Sequence, residues 1–172
     1  MGFKEVLAKI KESKEFKEFE KEHSEAFLYA GFFIINELNQ PEQRQLDFYM
    51  GHGKVMTFSV TNDEQGNEII VLKEEIVAKE TDVAPLDHVV NIDLEEVHGI
   101  VKKECEKEGM SVNKIIAILQ KLNGNQIWNI TALLPSLFML RMIVGMDGNI
   151  TERKSGSVFD IMQKKDKNSS IS

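Results

Sequence analysis

The amino-acid sequence predicts an α+β fold, a tandem duplication in which a helix followed by a four-stranded antiparallel meander occurs twice, (αββββ)x2. Two stretches of equal length, beginning at Leu46 and at Trp128, align without a gap, and both end in Gly-Asn. A helical period of apolar residues precedes each stretch, and apolar residues alternate within it. Chance is the alternative, since any two αββββ segments share some pattern, but the shared register favours duplication.

The predicted helices depend on apolar spacing and on capping residues. Near the start of the chain, apolar side chains recur every three or four positions, which is typical of an amphipathic helix with one buried stripe. They are Phe3, Val6, Leu7, Ile10, Phe16 and Phe19. In the second half, Asp93 and Glu96 have the spacing of a capping box, which predicts that a helix begins there. Gly109 stands where such a helix commonly ends.

The predicted strands are rich in aromatic and β-branched residues and show a period of two. Apolar residues alternate on both sides of "GHGK" at 51–54, so each flanking strand is expected to bury one face. They are Leu46, Phe48 and Met50 on one side and Met56, Phe58 and Val60 on the other. The glycines of "GHGK" suit the positive φ angles of a hairpin turn.

These boundaries divide the chain into a first αββββ unit at 1–82, a second at 83–163 and a polar C-terminal tail at 164–172. The alignment places the Gly-Asn turn at 66–67 over that at 148–149. A single unit of this size buries little surface on its own, and pairing two units hides further edges or faces.

The pattern "IWNI…FMLRMIVGMDGNI…SGSVFDI" resembles the PepSY-like group and, more loosely, the cystatin-like α+β folds. In PepSY repeats an aromatic strand leads to a second strand, a D-G turn and a final strand. Trp128, Asp147-Gly148 and 158–161 occupy those places here, and 48–49, 65–66 and 69–72 occupy them in the first copy. The resemblance implies a non-catalytic inhibitory or binding module.

Composition and charge exclude several classes of function. The net charge is −7 and the pI is near 5.2, which argues against a nucleic-acid-binding surface. The first residues lack the apolar segment of a secretory signal, and the apolar run at 130–146 is too short to span a membrane and contains Pro135 and Arg141. A cytoplasmic protein without a membrane partner is therefore expected.

No motif for catalysis or metal binding is found in the sequence. Four histidines, His23, His52, His88 and His98, are scattered without HxH or HxxxH spacing, which predicts surface residues rather than metal ligands. The single cysteine, Cys105, is expected to be a small buried thiol rather than a nucleophile paired with His98. We therefore predict no cofactor and no metal, and a function that is non-enzymatic rather than catalytic.

Two functions from different classes remain. The first is an intracellular protein-interaction or regulatory module that binds a protein partner or a second copy through Leu133, Leu134 and Pro135, since the alignment places them on the tip that "GHGK" forms in the first copy. Longer strands that bury both leucines are the alternative. The second function is a small-ligand-binding protein or enzyme with a pocket between helix and curved sheet. Its candidate lining residues are Tyr29, Tyr49, His52 and Trp128.

Overall fold

The computed structural model describes residues 1–37, 42–76, 83–161 and 163. Their strands form one eight-stranded antiparallel sheet in the order β4-β3-β2-β1-β5-β6-β7-β8. The elements in chain order are α1 (Phe3–Glu12), α2 (Lys14–Glu22), β1 (Phe27–Asn36), β2 (Gln43–Gly51), β3 (Lys54–Asn62), β4 (Glu68–Ile76), α3 (Leu94–Lys107), β5 (Lys114–Leu122), β6 (Asn125–Leu133), a short 3-10 helix (Pro135–Leu137), β7 (Phe138–Gly145) and β8 (Ile150–Ser157).

This architecture shows that the predicted fold class, two αββββ units in tandem, is wrong. β1 and β5 pair directly, with Phe33 opposite Ala117, so all eight strands belong to one sheet. Two helices rather than one precede β1. The physical reason is that an edge strand leaves a row of backbone N–H and C=O groups unpaired, and pairing β1 with β5 satisfies both rows. The predicted boundary at 82/83 adjoins residues 77–82, which lie outside the described residues, as does the tail at 164–172.

The helices begin and end at residues whose side chains or backbone explain their bounds. Ser13 separates α1 from α2, because its Oγ accepts a hydrogen bond from Phe16 N at 3.1 Å and so caps a new helix. The predicted capping box of α3 is confirmed: the Asp93 side chain accepts from Glu96 N, and Glu96 Oε2 accepts from Asp93 N at 2.9 Å. Gly109 follows α3 with a φ of 67°, as expected for the residue that ends a helix.

Asp93 also caps the first helix. Its Oδ1 accepts a hydrogen bond from Phe3 N at 2.7 Å, so one carboxylate serves the amino ends of both α1 and α3. A negative charge is favourable at the amino end of a helix, and the Asp93 carboxylate supplies this charge to both helices. Gly2 fits tightly beside this cap, since a Cβ at that position would lie 2.7 Å from Asp93 Oδ1. Asp93 therefore fixes the relative placement of the two helices.

α1, α2 and α3 pack on one face of the sheet, which we call the covered face. Trp128 is fully buried there, with Nε1 donating to Ile92 O at 2.7 Å and its ring 5.9 Å from Phe33. The predicted alternation in β2 and β3 is confirmed, because Leu46 and Phe58 are paired and fully buried on this face. The hairpin at "GHGK" is confirmed as well.

Candidate functional site

The opposite face of the sheet, which we call the open face, carries an apolar stripe at its centre. Phe32 on β1 lies opposite Ile118 on β5, and Ile34 lies opposite Ile116. All four side chains are half-buried. The three helices pack against the other face of the sheet and do not cover these residues. We call these four residues the central stripe.

Polar side chains border the central stripe on both sides. On β2, Gln45 is paired with Phe32, and on β6, Asn129 and Thr131 are paired with Ile118 and Ile116. These amides and hydroxyls donate and accept hydrogen bonds. The open face therefore combines an apolar centre with hydrogen-bonding borders, an arrangement typical of binding surfaces.

Asp47 is the acidic group nearest the centre of the open face. Its Oδ1 accepts hydrogen bonds from Thr57 Oγ1 at 2.8 Å and from Gln45 Nε2 at 3.0 Å. Burial raises the pKa of the Asp47 carboxyl above its ordinary value, the two hydrogen bonds oppose that rise, and the negative charge of Glu75 adds to it. Within the described residues no ion pair involves Asp47.

Three aromatic rings lie on the same face at the end of β2 that leads into the hairpin. Phe27 is the cross-strand partner of Tyr49, with ring centroids 5.5 Å apart. Tyr29 sits at the irregularity of β1, and its ring centroid is 6.2 Å from that of Tyr49. Tyr49 Oη accepts a hydrogen bond from Gly53 N at 3.1 Å, which ties the ring to the turn. We call Phe27, Tyr29 and Tyr49 the aromatic cluster.

The structure separates the four residues predicted to line a ligand pocket. Tyr29 and Tyr49 lie together, and His52 is exposed at the adjacent hairpin with a φ of 53°. Trp128 is on the covered face and fully buried, so it does not line a surface shared with the tyrosines. Sequence reasoning missed Asp47, although a signal was present, because Asp47 alternates with the buried Leu46 and Phe48 and so belongs to the same face as Tyr49.

The residues of the predicted partner-binding tip also differ in their placement. Leu133 is half-buried on the open face, where it pairs with Met139, whereas Leu134 is 4% exposed and belongs to the core. Leu134 is therefore buried, as the alternative of longer strands that bury both leucines expected, whereas Leu133 is only half-buried. Pro135 is exposed in the 3-10 helix, and at its end Leu137 is 61% exposed. A role of Leu133 and Pro135 in association stays a prediction.

The charged groups on the covered side connect elements to one another. Arg153 on β8 donates to Glu104 at 2.9 Å and to Glu108 at 2.5 Å, and Lys107 donates to Glu104. The hydrogen bond from Lys107 is the largest cause that lowers the pKa of the Glu104 carboxyl, and the hydrogen bond from Arg153 lowers it further. These contacts attach the carboxyl end of α3 to the sheet, which is a structural role.

A second contact of α3 joins it to the chain after β1. His98 Nε2 contacts the Glu37 carboxylate, and this hydrogen bond is the main cause that lowers the pKa of Glu37. A cleft of about 580 Å³ lies nearby, with Glu37, Lys102 and Cys105 among its lining residues. Burial raises the pKa of the Cys105 thiol, which disfavours the thiolate needed for a nucleophile. Among the residues that the structure describes, no group of three or more His, Cys, Asp or Glu side chains is placed to hold a metal ion.

The interior between helices and sheet is filled with apolar side chains. Its buried residues form one hydrophobic cluster that joins all three helices to the sheet. In the described part of the chain, the buried polar side chains are those of Glu104 and Gln126 on the covered side and of Thr57 on the open face, and each is hydrogen-bonded. Gln126 bonds both N and O of Asp87, which secures the segment before α3. An interior filled with apolar side chains favours binding at the surface.

Comparisons with known proteins bear on the fold alone. The sequence matches no protein-family model and no curated protein. A solved structure with a similar fold is that of a "putative lipoprotein" from Clostridium difficile 630, at 13% sequence identity and a TM-score of 0.56, with 83% of this chain and 90% of that chain covered. The resemblance to PepSY-like and cystatin-like folds is not tested by this similarity and stays a prediction. In the described ranges, no helix is long and apolar enough to cross a membrane.

Proposed function

We propose that this protein is a non-enzymatic interaction module that binds a protein partner on the open face of the sheet. The observation that carries the proposal is the central stripe, four half-buried apolar residues on the face opposite α1, α2 and α3. Apolar surface bordered by hydrogen-bonding groups resembles the core and rim of protein interfaces. A partner that covers these four side chains removes their apolar surface from water. This burial stabilises the complex by about 25 cal/mol for each Å².

The competing function was a small-ligand carrier or enzyme with a pocket between helix and sheet. The filled interior weighs against that location, because its buried residues pack as one cluster. A small ligand would instead bind at the surface, and the aromatic cluster with Asp47 is the surface site that fits one.

The cellular location of the protein is a separate part of the proposal and is tested by a separate experiment. The predicted location is the cytoplasm. The similar solved structure is described as a lipoprotein, which makes attachment to a membrane the competing location. Cell fractionation of the protein expressed in its own host distinguishes the two, since a soluble fraction supports the first and a detergent-extracted membrane fraction supports the second.

The test of the proposed interaction compares two tagged variants with the wild type. Ile116→Ser with Ile118→Ser removes half of the central stripe, and Glu95→Ala changes an exposed residue of α3 as the control. Proteins captured from host cells are quantified by mass spectrometry, after circular dichroism has shown that each variant is folded. A protein enriched by the wild type and the control, and lost with the stripe variant, supports the proposal. Equal capture by all three chains contradicts it.

A further inference from the structure

Asp47 is a half-buried carboxylate that has no ion-pair partner among the residues the structure describes. On this face the nearest charged side chains of β4 are Lys73 and Glu75, and they pair with each other at 2.7 Å. Lys73 is therefore already paired with a carboxylate and forms no ion pair with Asp47. Removing a carboxylate from water without a cationic partner is costly. A bound cation would relieve that cost.

The aromatic cluster lies beside this carboxylate. Tyr49 follows Asp47 by two residues on the same face of β2, a separation of about 7 Å along a strand. Ala30 is the cross-strand neighbour of Asp47, and Phe27 is that of Tyr49, so the carboxylate and the rings lie on the same two strands. The faces of aromatic rings carry negative potential and attract cations within about 6 Å of the ring centre. Rings and carboxylate thus attract the same kind of group.

We propose that Asp47 and the aromatic cluster form a binding site for an organic ammonium cation, such as a quaternary or methylated ammonium group. One carboxylate supplies too few oxygen atoms for a hard metal ion, which takes about six to eight oxygen ligands. Three rings beside one carboxylate suit instead a bulky, weakly hydrated cation. The site adjoins the central stripe, because Gln45 is paired with Phe32 and hydrogen-bonded to Asp47. Binding of a small ammonium cation is nevertheless tested separately from the proposed protein interaction.

The test is a titration of the isotope-labelled protein followed by NMR, with choline as the probe. The matched control ligand is the uncharged carbon analogue of choline, in which a tert-butyl group replaces the trimethylammonium group. Choline is expected to shift the resonances of Phe27, Tyr29, Tyr49 and Asp47 in a saturable way. The analogue is expected to bind at least about threefold more weakly, because it lacks the cation–π attraction.

Two variants, each of which removes one negative charge, test whether the Asp47 carboxylate binds the cation. Asp47→Asn retains groups that hydrogen-bond with Thr57 and Gln45, and it is expected to weaken choline binding by about threefold or more. Glu152→Gln, on β8 at the far side of the open face, is expected to leave the binding unchanged. The proposal is overturned if choline causes no saturable shift, if its shifts map elsewhere, if the analogue binds as tightly, or if Asp47→Asn has no larger effect than Glu152→Gln.

Discussion

The two faces of the sheet are formed by the same strands and differ in what covers them. Phe32 and Phe33 are neighbours in β1, yet Phe33 is fully enclosed beneath the helices and Phe32 is half-buried on the open face. Likewise Trp128 and Ile130 lie in the core, whereas Asn129 between them borders the central stripe. The covered face therefore contributes the packed core, and the centre of the open face carries apolar and polar groups that the helices do not cover.

Replacing aromatic residues by alanine is expected to give the largest difference between the faces in the free energy of unfolding. Trp128→Ala removes a fully buried indole and its hydrogen bond to Ile92 O, and should lower the free energy of unfolding by about 3–5 kcal/mol. Phe32→Ala on the open face is the control and should cost clearly less, since its ring is partly hydrated in the folded state. Chemical denaturation measures both. Equal losses would show that the open face is as tightly packed as the covered face.

The next contrast uses two adjacent leucines. Leu134→Ala creates a cavity in the core and should cost about 2–4 kcal/mol, while Leu133→Ala on the open face should cost about 1 kcal/mol or less. The pair shares sequence context, so its difference isolates the effect of the face. Thermal or urea unfolding provides the measurement, and a reversed order would mean that the strand register at this tip is misassigned.

A smaller effect is expected where the helices are fastened to one another. Asp93→Ala removes the cap of both α1 and α3, and the loss should be about 1–3 kcal/mol. Glu95→Ala, an exposed neighbour in the first turn of α3, is the control and should cost a few tenths of a kcal/mol. If the two substitutions were equal in urea unfolding, Asp93 would not hold the helices together.

The smallest effect concerns the pH dependence contributed by Asp47. Because burial raises the pKa of this carboxyl in the folded state, its ionisation disfavours the folded state as the pH rises. Below its ordinary pKa of 3.8 the carboxyl is neutral in both states, and Asp47→Asn should match the wild type. Above that pH the variant should gain stability relative to the wild type until the folded-state pKa is passed, and then the difference should stay constant.

Unfolding at a series of pH values checks this prediction. A wild type that became more stable than Asp47→Asn on raising the pH would reverse the sign. It would show that the hydrogen bonds from Thr57 and Gln45 outweigh burial.

Local features of the fold were predictable because neighbouring residues determine them. The capping box at Asp93, the hairpin at 51–54 and the burial of Trp128 each follow from patterns a few residues long. The pairing of β1 with β5 was not predictable, since alternation in a strand shows which face is buried and not which strand lies beside it. The same holds for the site, because the contacts of Asp47 with Thr57 and of Phe27 with Tyr49 depend on strand register.

The most direct test of the difference between the faces is an NMR titration with the apolar dye anilinonaphthalene sulfonate, which binds exposed apolar surface. The dye is expected to bind the folded protein and to shift the resonances of the central stripe, Phe32, Ile34, Ile116 and Ile118. The core residues Trp128, Ile130 and Leu140 should not shift. Shifts at these core residues, with none at the central stripe, would contradict the account and indicate that the interior between helices and sheet is the binding site.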